Sequence, residues 1–215
     1  MGSASLHSPA REMPGTYAAA DEHYLPDSVE RSAKILVVGG FGAGKTTLIG
    51  SVSEIIPLRT EEVITAASIG TDDLAGLPGK ETTTVAMDFG RITLTQRTVL
   101  YLFGMPGQKR FWNPWHALAE GAVGALVLVD TRRLEESFEV LNQLELQASE
   151  LPFAVAVNLF PGGPRYEEEE LREAMDLLPQ TPVLCCDARD RASSIRALAG
   201  LAGYALAVEK EKTSA

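Results

Sequence analysis

Eight consecutive residues, Gly39-Gly40-Phe41-Gly42-Ala43-Gly44-Lys45-Thr46, match the pattern G-x-x-x-x-G-K-[ST]. Each residue type has a physical task at that spacing. Glycines let the backbone curl until successive N–H groups point inward and form a nest for an anion. A helix starting at Lys45 adds the positive end of its dipole. Lys45 carries a point charge suited to β- and γ-phosphate. Thr46 carries a hydroxyl oxygen of the kind Mg²⁺ accepts in an octahedral shell. The chemistry on offer is the holding of nucleotide phosphates, and Gly40, Phe41, Gly42, Ala43, Gly44, Lys45, Thr46 and Thr47 are the residues expected to do it. A glycine-rich turn that binds nothing is the bland alternative. Context favours the first reading: the β-rich run Ala33 to Val38 stops at Gly39-Gly40, and a helical pattern runs from Lys45 to Ser53.

The rest of the chain supplies elements that would position such a turn. Residues 84 to 95 alternate Val85, Met87 and Phe89 against Ala86, Asp88 and Gly90, a strand period. A tight turn at Gln96-Arg97 leads to a second run, Thr98 to Phe103, so these two pair as a hairpin. Val123 to Val129 and Phe153 to Val157 are unbroken apolar strands, as expected where helices cover both faces of a sheet. Glu135 to Ser149, Tyr166 to Leu178 and Ser193 to Val208 read as helices, and Pro182 to Cys186 as a last strand. In the first of these helices Phe138, Leu141, Leu144 and Leu146 mark the apolar face; in the last, Ile195, Leu198, Leu201, Ala202, Ala205 and Val208 do. The alternation predicts an α/β fold with a doubly wound, mostly parallel sheet and one antiparallel edge hairpin strand. The stretch from Glu54 to Thr83 shows no clear element, although a short strand fits within Thr60 to Thr65. The expected organisation is a mobile tail over residues 1–32, one domain over 33–209 and a polar end over 210–215.

Composition removes several function classes. Of 215 residues, 45% are hydrophobic and 22% charged, a globular balance. Nineteen basic against 29 acidic residues give a formal charge of −10, which opposes nucleic-acid binding and an electrostatic anchor on an anionic membrane. No apolar run is long enough to span a bilayer. The first residues hold no secretory pattern, and Leu6 stands where an acylation signal needs Ser or Thr. Cys185 and Cys186 are adjacent, unsuited to a disulfide or to C-x-x-C chemistry, and read as small buried residues on a strand. A cytoplasmic location, with membrane recruitment only through a partner, is the expectation.

Two further stretches, Thr82-Thr83-Thr84-Val85-Ala86-Met87-Asp88-Phe89-Gly90 and Leu102-Phe103-Gly104-Met105-Pro106-Gly107-Gln108-Lys109-Arg110-Phe111-Trp112, join the phosphate turn in a family resemblance. The chain resembles the Ras-like small GTPases, and more closely their bacterial MglA-like branch with its conservon-type GTP-binding proteins, over about Ala33 to Glu209. The resemblance implies a P-loop NTPase fold, GTP/GDP as ligands and Mg²⁺ as cofactor. It assigns Thr46 and Thr84 to the metal, with Thr83 as runner-up for the second. It assigns the Gly107 N–H to the γ-phosphate and Gln108 to the attacking water.

The chain departs from the family's pattern in two places. The family writes D-x-x-G-Q after its third strand, and here Gly104 takes the place of the aspartate; Asp88 is the carboxylate in the matched stretches able to compensate. Guanine is read by N-K-x-D after the fifth strand, and here the segment is Asn158-Leu159-Phe160-Pro161, without the acceptor. Asp187-Ala188-Arg189 stands for the last loop, where the Ala188 N–H would meet the base carbonyl and the Asp187 carboxylate is a substitute acceptor. Losing a base-reading acceptor weakens GTP-over-ATP preference by about tenfold or more.

No arginine neighbours Thr84, so slow hydrolysis stimulated by a partner is expected. Phe111, Trp112, Pro114, Trp115 and His116 follow Gln108, as interface anchors or as core under the next helix. The resemblance implies a roadblock-type regulatory partner and a histidine-kinase-like signalling complex. A nucleotide-loaded scaffold that hardly hydrolyses stays open as a second reading. A P-loop kinase is the third, disfavoured because the loop Pro161 to Glu170 has one arginine, Arg165, rather than an arginine-rich lid.

Overall fold

The computed structural model describes residues 28–64, 83–106 and 115–214, with the backbone alone described at 58–64, 83–86 and 115–116. Five helices and seven strands alternate within them. The strands are β1 (Arg31–Gly39), β2 (Leu58–Ile64), β3 (Thr83–Thr95), β4 (Thr98–Gly104), β5 (Gly124–Val129), β6 (Phe153–Asn158) and β7 (Val183–Cys186). The helices are α1 (Lys45–Val52), α2 (Trp115–Ala119), α3 (Leu134–Ala148), α4 (Glu168–Ala174) and α5 (Arg191–Ser214).

One sheet takes the order β2-β3-β4-β1-β5-β6-β7. β1 pairs in parallel with β4 and β5, and β5–β6 and β6–β7 are also parallel. The reversed strand expected from the hairpin is β3, antiparallel to β4 and to β2. β2 lies outside β3 and takes the edge of the sheet. Its pairing has a plain cause: the outer side of β3 offers a row of N–H and C=O groups that need partners.

β5 is buried along its whole length, as expected where helices cover both faces. On one face Ile35, Val37, Leu102, Leu126 and Leu128 pack with Leu48 and Ile49 of α1 and Leu198 and Leu201 of α5. On the other, Leu36, Val38, Val127, Val129 and Val155 pack with Val140, Leu141 and Leu144 of α3. The side-chain alternation of the strands thus feeds two cores from one sheet.

Three local readings are corrected. Phe138 and Leu146 of α3 and Ile195 of α5 point outward; the buried faces are Val140-Leu141-Leu144 and Ala197-Leu198-Leu201-Ala205. α5 continues through the polar stretch to Ser214. There Lys212 Nζ meets Glu150 at 3.0 Å, and the hydroxyls of Thr213 and Ser214 donate to carbonyls one turn back. Cys185 is exposed while Cys186 is buried, because β7 ends the sheet and its successive side chains face opposite ways.

Candidate nucleotide-binding site

The turn from β1 to α1 forms at the carboxyl ends of the parallel strands, where open α/β sheets hold their ligands. Gly42 and Gly44 take φ of 75° and 107°, the left-handed region that glycine enters without strain. Close neighbours enforce the same choice. A Cβ on Gly44 would collide with Nδ2 of Asn158, and one on Gly40 with the Glu136 carboxylate. Gly44 caps α1 with no side-chain hydrogen bond. The Lys45 ammonium folds over the turn, donating to Gly39 O at 2.8 Å and Gly40 O at 2.7 Å. Burial pushes its pKa down from 10.5 to about 8; Asp88 and Glu136 oppose that shift and Arg133 adds to it.

The Thr46 hydroxyl donates to Oδ2 of Asp88, which is buried. Asp88 lies directly across the β3–β4 ladder from Gly104. A Cβ on Gly104 would come within 3.0 Å of the Asp88 Cβ and 2.9 Å of Ile49 Cδ1. Across the ladder from Gly104, where the family's pattern has an aspartate, β3 carries a carboxylate. The space it needs exists because residue 104 has no side chain. Two hard oxygens, from Thr46 and Asp88, meet beside the cradle, a donor set that suits Mg²⁺. Thr84 is four residues before Asp88 on β3, about 13 Å along the strand, with its backbone paired across to Val63. Gly107, Gln108, Phe111, Trp112 and Pro114 lie outside the described residues, as do the side chains of Trp115 and His116.

Asn158 is buried at the end of β6 and fastens two loops. Its Nδ2 donates to Ala43 O at 2.8 Å, and its Oδ1 accepts from the Ala188 N–H at 3.1 Å. The amide expected to face a base carbonyl is therefore donated within the protein. The Asp187 carboxylate accepts from the backbone N–H and guanidinium of Arg189, which hold its pKa below the usual carboxylate value. Both groups expected to read a base are thus engaged, and Pro161 brings no acceptor.

Sequence reasoning missed a cluster directly after β5. Asp130, 3% exposed, accepts from both Arg132 and Arg133. Hydrogen bonds from Arg132 are the largest cause lowering its pKa. Arg133 Nη2 also donates to Phe41 O at 2.7 Å, and Nη1 donates to Glu136 at 3.0 Å. Arg132 lies over the Phe160 ring, 3.7 Å from its centroid. One buried carboxylate thereby links the phosphate turn to the base-side loop. The available signal was an Asp-x-Arg-Arg run at the carboxyl end of a parallel strand.

A glycine cradle, an inward lysine and a threonine–aspartate oxygen pair, mounted on this sheet order, define a nucleotide-binding P-loop NTPase with a G-domain-like fold. The solved G domain of the T. maritima FeoB iron transporter has this fold, with a TM-score of 0.53 and 14% identity, covering 83% of this chain and 99% of that one. Residues 37–208 match the model of the family described as "Conserved hypothetical ATP binding protein", and the chain belongs to that family. It is also similar to the uncharacterized protein MJ1339 of Methanocaldococcus jannaschii, at 28% identity over 58% of this chain and 68% of that protein. Among the described residues no helix is long and apolar enough to cross a membrane.

Proposed function

We propose that the protein is a nucleotide-dependent switch of the small-GTPase type, binding GTP and GDP with Mg²⁺ and hydrolysing GTP slowly. The observation that carries this reading is the Thr46–Asp88 pair beside the cradle, opposite Gly104. In this reading it supplies the carboxylate oxygen that small GTPases at large take from the aspartate of D-x-x-G, a position held here by Gly104.

In this reading the backbone of Gly40 to Gly44 and Lys45 bind the triphosphate, with Thr47 continuing the helix start. Thr46 and Asp88 would hold Mg²⁺, which when bound neutralises charge on the phosphate oxygens, and Thr84, about 13 Å along β3 from Asp88, would join them only if that segment closed over the nucleotide. By the resemblance, the Gly107 N–H would meet the γ-phosphate and Gln108 would orient water. Slow hydrolysis follows in this reading from the lack of an arginine beside Thr84, and Arg133, near the turn, is bonded to Phe41 O, Asp130 and Glu136. A roadblock-type regulatory protein then stimulates turnover or exchange within a histidine-kinase-like signalling complex, which would also bring the chain to a membrane.

A second reading has a specific observation behind it. Pro161 lacks an acceptor, and Ala188 and Asp187 are engaged within the protein. Those facts favour a relaxed GTP/ATP preference and a nucleotide-loaded scaffold with little or no hydrolysis, in keeping with the family's description as ATP-binding.

Isothermal titration with GTP, GDP and ATP, each with Mg²⁺, tests both. The switch reading expects tight guanine-nucleotide binding, lost in Lys45→Ala, and single-turnover hydrolysis that slows in Gln108→Leu. Equal affinity for ATP and GTP with no turnover would favour the scaffold. No binding to any of the three would defeat both.

A further inference from the structure

The tip of the phosphate turn is a β-turn from Gly40 to Ala43, closed by the Ala43 N–H donating to Gly40 O at 3.2 Å. Its third residue, Gly42, takes φ of 75°. Phe41 has negative φ, since Asp176 is the single non-glycine residue with positive φ among the described residues. That pair of signs defines a type II turn. Type I differs from it by a flip of the middle peptide, which exchanges the sides taken by the Phe41 carbonyl and the Gly42 N–H. Glycine accepts the φ of either type, so the turn's own residues leave the choice open. An anion is sensitive to that choice: inward N–H groups attract it, and a carbonyl turned inward repels it.

A group outside the turn makes the choice. Arg133 Nη2 donates both to Phe41 O, at 2.7 Å, and to Oδ2 of Asp130, at 3.2 Å, while Nη1 donates to Glu136 at 3.0 Å. A Cβ on Gly42 would stand 3.0 Å from the same Nη2. The guanidinium is thus seated against the middle peptide itself and aimed by two carboxylates. Asp130 is buried and gripped in turn by the fork of Arg132, whose hydrogen bonds are the largest cause of its lowered pKa. An ionised acceptor therefore stands behind Arg133 at neutral pH. A trans peptide points its C=O and N–H in opposite directions, so a carbonyl held at Arg133 sends the Gly42 N–H to the side of the turn away from the guanidinium.

Resting on the reading of this turn as a nucleotide cradle, we propose that Arg133 is a positioning residue for phosphate binding: by holding the Phe41 carbonyl outward it keeps the Gly42 N–H among the donors that face the phosphates. Asp130 and Glu136 hold the arginine to that task. Attraction of phosphate by charge alone would need none of this geometry.

Titration of the full-length chain with GDP and with GTP in Mg²⁺ tests this on Arg133→Lys and Asp130→Asn. Lysine keeps the charge but lacks the planar fork that reaches Phe41 O and both carboxylates at once, so affinity for both nucleotides should fall about tenfold or more. Asp130→Asn removes a negative charge near the turn. Charge alone predicts tighter phosphate binding there, whereas positioning predicts binding weaker by a similar factor. Wild-type affinity in Arg133→Lys, or tighter binding in Asp130→Asn, would overturn the proposal. Amide NMR of the nucleotide-free Arg133→Lys protein reads the turn itself. The Gly42 signal should broaden or move as the flipped peptide becomes populated, while the signals of β5 and β6 stay in place; a sharp Gly42 signal at the wild-type position would refute the proposal. Failure of the wild type to bind either nucleotide would defeat the cradle reading and this proposal with it, whereas the other refuting results leave that reading standing.

Discussion

Replacing Lys45 by Met should make the nucleotide-free protein more stable while abolishing its ligand binding. The ammonium is largely out of water, and its pKa falls from 10.5 to about 8. That gap corresponds to about 3 kcal/mol of unfavourable interaction carried by the charged form. Methionine fills a similar volume without the charge. It forfeits the hydrogen bonds to Gly39 O and Gly40 O, at about 1 kcal/mol each. A net gain of about 1 kcal/mol should remain, read as a higher denaturant midpoint at pH 7 without nucleotide. Linkage gives the pH signature. The folded lysine releases its proton near 8 and the unfolded one near 10.5, so between them the unfolded chain holds more protons. Wild-type stability should therefore climb as pH rises through that window, and the methionine variant should lack the climb. Saturating nucleotide should invert the order, because ligand stabilises only the chain that binds it. A variant less stable at pH 7, by an amount that stays flat to pH 10, would show that the ammonium bears no desolvation cost.

The carboxylate on β3 admits an exchange experiment. Asp88→Ala should weaken nucleotide binding in Mg²⁺ about tenfold or more while leaving affinity in chelator unchanged; equal loss in both conditions would detach Asp88 from the metal. Gly104→Asp alone should fail for want of space, whereas Asp88→Gly with Gly104→Asp should recover Mg²⁺ dependence. Asn158→Ala strands a buried carbonyl and a buried N–H, at Ala43 and Ala188, and should destabilise by about 2–4 kcal/mol in chemical unfolding; a loss under 1 kcal/mol would mean the clasp is dispensable. Pro161→Asp should raise the GTP-over-ATP ratio in titration by about tenfold or more, and an unchanged ratio would place base reading elsewhere.

Much of the frame could be read from the chain. A β-rich run ending in Gly39-Gly40, with a helix from Lys45, determined the phosphate turn, because only glycines accept the positive φ values found at 42 and 44. Period-two alternation located the β3–β4 hairpin, and unbroken apolar runs located the buried strands β5 and β6. These features are local, so spacing along the sequence carries them. What joins distant residues had no such signal. The meeting of Thr46 with Asp88 depends on the β3–β4 register that sets Asp88 opposite Gly104. The Asn158 clasp depends on β6 ending between two loops, and the span from Asp130 through Arg133 to Phe41 depends on β5 lying beside β1. A pattern of residue types states what each side chain can do, while the sheet's order and register decide which of them come within bonding distance.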